Sequence, residues 1–127
     1  MLKATNVCIV EDSEDDAYLM RCEVLRLFPD AAVSHVSTLA ALRVNLACNS
    51  APYDIAIVDM SLPDGCGFDA ACLLKKTKSL VILISGGAVD YLSTFRDDVD
   101  GFAKKPLSAR VLKALLRGTP WRKKMSA

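Results

Sequence analysis

Five short apolar runs alternate along the chain with stretches of helical periodicity, and this alternation most constrains the fold. The runs lie at residues 6–10, 32–36, 54–59, 80–84 and 99–103. Apolar runs of this length, bounded by turn residues, are typical of buried strands. Helices are predicted at residues 13–28, 38–47, 68–76, 88–95 and 108–117. Strands that alternate with helices predict an α/β fold, in which a parallel sheet is covered by helices on both faces.

The length and composition of the chain favour one domain. It has 127 residues, of which 52% are apolar, so it can bury a single core. No apolar run approaches the length of a membrane span, and the amino terminus lacks the separate apolar region of a signal peptide. The five cysteines have no metal-ligand spacing, and we interpret them as reduced thiols of a cytoplasmic protein.

The carboxyl-terminal part of the chain is basic, since residues 101–127 hold eight Lys and Arg and no acid. Such a bias can indicate nucleic-acid binding. However, Arg110, Lys113 and Arg117 recur at the spacing of one solvated helix face. Too few residues follow position 118 to form a DNA-binding domain. We therefore expect no direct contact with nucleic acid and none with a membrane.

Polar side chains stand at the carboxyl ends of four predicted strands. They are Glu11 with Asp12, Asp59, Ser85 and Lys105. Right-handed crossovers bring the ends of parallel strands to one edge of the sheet, where ligands bind in such folds. Carboxylates crowded at one edge repel one another unless a cation joins them, and magnesium suits such oxygen ligands. A metal, an ammonium and a hydroxyl around one carboxylate could hold an incoming phosphoryl group. A single aspartate can instead cap the following turn, so this hypothesis depends on all four strand ends meeting.

Four motifs together carry a family resemblance. They are VCIVEDSEDDA, DIAIVDMSLPDGCGFD, VILISGG and FAKKP, in this order. The chain resembles the receiver domain of bacterial two-component response regulators from about residue 3 to residue 118. This resemblance implies a flavodoxin-like, five-stranded parallel sheet with strand order 2-1-3-4-5. It also implies a receiver domain at residues 1–118, followed by a basic tail or linker at residues 119–127.

The resemblance implies a phosphoacceptor and a metal site. Asp59 would accept a phosphoryl group and form an aspartyl phosphate. Asp12, Asp59 and the backbone carbonyl of Ser61 would ligate Mg²⁺, and Glu11 would assist, through a water molecule. The cofactor implied is therefore magnesium, bound to residues of the first and third strands.

Two further residues would contact the phosphoryl group, and one would respond to it. By the same resemblance, Ser85 would hydrogen-bond one phosphoryl oxygen and Lys105 would pair with another. Phe102 lies where the family carries its switch aromatic, and it would swing into the space that Ser85 leaves. Lys104 is the poorer candidate for the site, because alternation along the strand turns it the other way.

The resemblance also implies partners. The phosphoryl group would come from a histidine kinase or a histidine phosphotransfer protein, and a switched surface would bind a downstream protein in the cytoplasm. The chain would promote its own phosphorylation and dephosphorylation without being a turnover enzyme. The pathway, a homodimer, and the choice between a stand-alone regulator and part of a larger protein stay open.

Two alternative functions remain open from the residues. A haloacid-dehalogenase-like phosphatase also uses an aspartyl phosphate and magnesium, but such enzymes carry a second Asp two residues after the nucleophile, where this chain has Ser61. A receiver-like binding module that works without phosphorylation is expected to lose its site residues, yet Asp12, Asp59 and Lys105 are all present. Both alternatives therefore fit the sequence less well than a phosphorelay receiver.

Overall fold

The computed structural model describes residues 6–48, 53–87 and 99–117. The strands are β1 Asn6–Val10, β2 Ala32–Val36, β3 Ile55–Asp59, β4 Ser61–Leu62, β5 Gly65–Cys66, β6 Leu80–Ser85 and β7 Gly101–Lys104. The helices are α1 Glu14–Leu27, α2 Leu39–Cys48, α3 Gly67–Lys75 and α4 Ala109–Arg117. The predicted helix at residues 88–95 and the tail at 119–127 lie outside the described residues.

Five of these strands form one parallel sheet in the order β2-β1-β3-β6-β7. Since β6 and β7 are the fourth and fifth strands of this sheet along the chain, the predicted order 2-1-3-4-5 is confirmed. β4 and β5 form a separate antiparallel pair directly after β3. Each strand of this pair has only two residues, too few to leave an alternating pattern in the sequence.

The two faces of the sheet carry two separate hydrophobic cores, as alternation along each strand requires. One face packs against α1 and α4, and its buried strand residues include Ile9, Ile57 and Ile82. The other face packs against α2 and α3, and it includes Val10 and Val58. Because β1, β3 and β6 are buried on both faces, they read as continuous apolar runs, which is why the sequence revealed them.

A distant carboxylate caps the amino end of α2. Asp64, in the turn between β4 and β5, accepts hydrogen bonds from the backbone N–H groups of Leu39 at 2.8 Å and Ala40 at 3.0 Å. These two bonds lower the pKa of Asp64. The next N–H, of Ala41, donates to the hydroxyl of Thr38 at 3.0 Å. The segment that follows β3 is therefore tied to the start of α2.

The amino end of α4 is capped in a similar way from another element. The backbone N–H of Ala109 donates to Oε1 of Glu23, on α1, at 3.0 Å. Ser108 accepts the N–H of Val111 at 3.1 Å, as an ordinary N-cap residue does. The bond between Ala109 and Glu23 joins α4 to α1. It therefore helps to position the segment between β7 and α4, which carries Lys105.

None of the helices in the described ranges is both long enough and apolar enough to cross a bilayer. No disulfide joins the five cysteines, all of which lie within those ranges. Cys8 is buried in the sheet, and burial raises the pKa of its thiol to about 12. That thiol is therefore protonated at neutral pH and packs as a small core residue.

Candidate functional site

The register of the sheet brings the carboxyl ends of β1, β3 and β6 to one edge. Val10, the last residue of β1, pairs with Val58, so Glu11 follows at the level of Asp59. On its other side Asp59 pairs with Ile84. Asp59 thus lies at the end of the central strand, with a neighbouring strand on each side.

Three carboxylates meet at this edge. Ligand oxygens of Glu11, Asp12 and Asp59 all lie within 4.8 Å of one another. Glu11 and Asp59 are buried, with 0% and 6% of their surface exposed, whereas Asp12 is exposed. A hard divalent cation such as Mg²⁺ prefers carboxylate oxygens and retains several waters, so it fits a cluster that opens to solvent on the Asp12 side.

The side chain of Lys105 lies between three carboxylates. Its Nζ is 2.6 Å from Oε1 of Glu11, 2.9 Å from Oδ2 of Asp16 and 3.2 Å from Oδ2 of Asp59. Burial alone would lower the pKa of Lys105, but hydrogen bonds to these carboxylates raise it above its ordinary value. The ammonium is therefore fully charged at neutral pH, and it is the cation that balances the cluster in this structure.

Glu11 is held in place from several directions. The backbone N–H of Ser13 donates to its Oε2 at 3.1 Å, and Nε2 of His35 lies 2.6 Å from its backbone carbonyl oxygen. Burial raises the pKa of Glu11 to about 7, Lys105 opposes this shift, and the nearby carboxylate of Asp59 adds to it. Burial therefore favours the neutral form of Glu11, and the ammonium of Lys105 favours its carboxylate.

The backbone after β3 turns around Asp59. Its Oδ1 accepts the backbone N–H of Ser61 at 3.2 Å, which leaves Oδ2 toward Lys105. The next residue, Met60, donates its N–H to the carbonyl of Ile84 at 2.9 Å and accepts the N–H of Gly67 at 2.8 Å. Ser61 therefore lies directly beside the carboxylate of Asp59.

Ser85 and Phe102 lie on the two strands that follow β3 in the sheet, β6 and β7. Ser85 ends β6, next to the residue that pairs with Asp59, and its Oγ accepts the N–H of Gly87 at 3.0 Å. The carbonyl of Ser85 accepts the backbone N–H of Lys105 at 2.9 Å. Phe102 pairs with Leu83 and packs, half-buried, against the α2 and α3 core. Ser85 therefore ends the strand beside Asp59, whereas Phe102 lies one strand further from it.

The structure adds Asp16, which sequence reasoning did not place at the site. Glu14, Asp15 and Asp16 lie in the first turn of α1, where the helix dipole favours negative charge, and the N–H of Asp16 donates to the Ser13 cap at 3.2 Å. Yet the carboxylate of Asp16 also reaches Lys105, 89 residues away along the chain. One signal was available: a residue in the first helical turn after β1 returns toward the strand ends.

Comparisons with known proteins identify this arrangement at the level of fold. No protein-family model matches the sequence, and no curated protein does. Among solved structures, the chain is similar to a two-component response regulator from Cytophaga hutchinsonii, at a TM-score of 0.77 and 23% identity, covering 90% of this chain and 95% of the other. A two-component response regulator from Clostridium difficile has a TM-score of 0.78 at 15% identity, covering 97% and 99% of the two chains.

A third solved structure is a response regulator receiver domain from Methylobacillus flagellatus. Its TM-score is 0.71 at 20% identity, covering 90% of this chain and 97% of the other. The TM-scores show that these structures share their architecture with this chain over most of their length. At identities of 15–23% the likeness is one of fold. The chain has the fold of response regulator receiver domains.

Proposed function

We propose that this chain is a phosphoacceptor receiver in phosphorelay signal transduction and that Asp59 accepts the phosphoryl group. One observation carries the proposal: Nζ of Lys105 contacts both Asp59 and Glu11, at the edge where the carboxylate of Asp12 joins them. A buried nucleophilic carboxylate, an ammonium and an acidic cation site are the parts that phosphoryl transfer requires.

In this proposal a carboxylate oxygen of Asp59 attacks the phosphorus of a phosphohistidine or a small acyl phosphate. The new O–P bond forms as the bond from phosphorus to the donor breaks, and the donor atom keeps that electron pair. A leaving imidazole nitrogen then takes up a proton from solvent, whereas a carboxylate leaves as the anion. Later attack of water on the phosphorus returns the Asp59 carboxylate and releases inorganic phosphate.

The acidic cluster would hold a magnesium ion through Asp12, Asp59 and the carbonyl of Ser61, with Glu11 assisting through water. When bound, the ion supplies positive charge to the phosphoryl oxygens. The donor set supports this assignment, since three carboxylates offer oxygens within 4.8 Å of one another. Ser61 is fixed beside the cluster because its N–H donates to Asp59.

Lys105 and Ser85 would contact the phosphoryl oxygens. Lys105 already points at Asp59, whereas the hydroxyl of Ser85 would leave the N–H of Gly87 to donate to the phosphoryl group. Phosphorylation adds about 1.5 to 2 negative charges and three acceptor oxygens, which would draw both side chains inward. Phe102, half-buried two strands from Asp59, would then move toward the space beside Ser85 and reshape the surface around β7.

The phosphodonor would be a histidine kinase or a histidine phosphotransfer protein in the cytoplasm, and the switched surface would bind a downstream protein. A groove of about 220 Å³ lies beside the site. It is lined by Asp16, Leu19, Met20, Lys105, Pro106 and Leu107. We assign residues 1–118 to the receiver and residues 119–127 to a tail or linker. The chain would not be a turnover enzyme.

The proposal is tested by labelling the chain with acetyl phosphate and magnesium and detecting the aspartyl phosphate by intact mass. Asp59→Asn should abolish labelling, and chelation of magnesium should do the same to the wild type. Asp15→Asn is the matched control, because it removes an exposed acid outside the cluster. Persistent labelling of Asp59→Asn would overturn the assignment. Sustained release of phosphate from a generic phosphomonoester would favour a phosphatase instead.

A further inference from the structure

We propose that Asp16 is a positioning residue that holds the Lys105 ammonium when a divalent cation takes over the other two carboxylates that contact it. The proposal rests on the proposed function, because it assumes that magnesium binds at the acidic cluster. It goes further by giving a role to a residue on α1, outside the strand ends.

The three carboxylates around Lys105 are not equivalent. Glu11 and Asp59 both belong to the cluster whose oxygens lie within 4.8 Å of one another, and Asp16 does not. An ammonium has three N–H donors. Nζ hydrogen-bonds Asp16 and Asp59, whereas Glu11 is in ion-pair contact with it. Of the contacts to Nζ in the described residues, only the one to Asp16, at 2.9 Å, involves no candidate metal ligand.

Cation binding and the Lys105 contacts therefore compete. When oxygens of Glu11 and Asp59 bind a divalent cation, their ion pairs with the Lys105 ammonium become weaker. The divalent cation and the ammonium also repel each other, because both lie beside the same two carboxylates. Asp16 offsets both effects because it provides an acceptor on the α1 side. Lys105 then stays at the edge of the pocket, where a phosphoryl group on Asp59 would need it.

The Asp16 contact also has the right exposure for this role. The side chain of Asp16 is 41% exposed and that of Lys105 is 23% exposed. Because Asp16 lies at the solvent edge, an N–H group of Lys105 can turn from it to an incoming phosphoryl oxygen. Water then solvates the Asp16 carboxylate, so no buried charge is left unpaired. Glu11, with no exposed surface, could not give up its cation so easily.

The test is a magnesium titration of the full chain, followed by NMR. The backbone amides of Ser13 and Ser61 report cation binding, because they donate to Glu11 and Asp59. The side-chain ε-methylene signals of Lys105, assigned by their absence in Lys105→Met, report whether its ammonium stays ordered. In the wild type these signals should remain resolved at saturating magnesium. In Asp16→Asn, the chemical shifts of these ε-methylene protons should merge to one averaged value once magnesium binds, because the side chain of Lys105 becomes mobile.

The same titration measures affinity. Asp16→Asn should weaken magnesium binding about two- to fivefold, the range expected for one partly exposed ion pair. Asp15→Asn is the matched control for loss of one charge from the first turn of α1, because Asp15 is exposed and makes no ion pair with Lys105 in the described structure. It should change affinity much less. In the Lys105→Met background, Asp16→Asn should have no more effect than Asp15→Asn.

Several outcomes would overturn the inference. Equal weakening by Asp16→Asn and Asp15→Asn, or an equal effect with and without Lys105, would mean that Asp16 acts only through its net charge. Lys105 signals that remain ordered in magnesium-saturated Asp16→Asn would show that the anchor lies elsewhere. These results would leave the proposed function intact, whereas a wild-type chain that binds no magnesium would overturn both.

Discussion

Oε1 of Glu11 lies 2.6 Å from Nζ of Lys105, and Glu11 has no exposed surface. The ammonium therefore stabilises a carboxylate that burial otherwise drives toward its neutral form. Because burial dominates, the pKa of Glu11 rises from its ordinary value of 4.5 to about 7. This relationship couples the charge of the site to the stability of the fold.

The first prediction concerns the stability of the fold as a function of pH. Between pH 4.5 and about 7, the folded chain keeps the Glu11 proton that the unfolded chain loses. The contribution of Glu11 to the free energy of unfolding is therefore largest at low pH, and it falls as the pH rises from 4.5 to about 7. Glu11→Gln cannot ionise, so it should lack this dependence. Urea unfolding of both proteins across the range checks this, through the difference between their free energies of unfolding. A difference that stays constant or changes in the opposite direction would contradict the raised pKa.

The second prediction separates the two adjacent lysines at the end of β7. Lys105 contacts Asp59, whereas Lys104 is exposed. Lys105→Met removes the ammonium from the phosphoryl position and should slow labelling by acetyl phosphate on the order of 100-fold, the cost of removing one preorganised charge donor. Lys104→Met is the matched control and should label like the wild type. If both variants labelled alike, the assignment of Lys105 would be wrong.

Much of this architecture follows from local sequence pattern. β1 and β2 begin and end where the apolar runs at residues 6–10 and 32–36 predict, because an apolar run bounded by turn residues has few other solutions. The first helix begins where Ser13 and the acids after it predict, since the N-cap and the helix dipole act over one turn. The strand order followed from a resemblance between motifs, because periodicity alone does not choose among orders.

The parts that sequence reasoning missed are contacts between distant residues. Asp16 already had a sufficient local explanation in the first turn of α1, and its position after β1 placed it near the strand ends without identifying Lys105 as its partner. Asp64 looked like a turn residue, yet it caps a helix that begins 25 residues earlier. The β4 and β5 pair is too short to leave an alternating pattern. Each of these features depends on the packed sheet, which brings segments together that no sequence window contains.

The third prediction tests the cap that Asp64 places on α2. Asp64→Ala removes the acceptor of the N–H groups of Leu39 and Ala40, so both amides should exchange faster with solvent. The amide of Ala41 is an internal control, because it donates to Thr38 instead. Hydrogen exchange followed by NMR makes the comparison. Unchanged exchange at Leu39 and Ala40 would show that the cap does not protect the helix start.

The loss of stability in Asp64→Ala should also depend on pH. Its pKa is lowered by the two backbone hydrogen bonds, so the folded chain binds its proton less tightly than the unfolded chain. The stabilisation is therefore complete above the ordinary pKa of 3.8 and is lost as the pH falls through the lower folded value. Asp64→Ala should thus be less stable than the wild type at neutral pH, and the difference should shrink in acid. A difference that grows in acid would contradict the lowered pKa.

The fourth prediction concerns Gly67, where α3 begins against the backbone that carries Asp59. A Cβ at this position would lie 2.8 Å from the carbonyl oxygen of Asp59 and 3.0 Å from the Cα of Met60. Neither backbone atom can move without shifting the end of β3, so Gly67→Ala should destabilise the chain by about 1–3 kcal/mol. It should also slow labelling of Asp59. Gly86→Ala is the control, because no heavy atom of the described residues, its two chain neighbours aside, lies within 4 Å of a Cβ there. Urea unfolding and acetyl phosphate labelling of both variants check this. Equal stability of the two variants would mean that the backbone around Asp59 yields easily, and the tight packing at Gly67 would then not position the carboxylate.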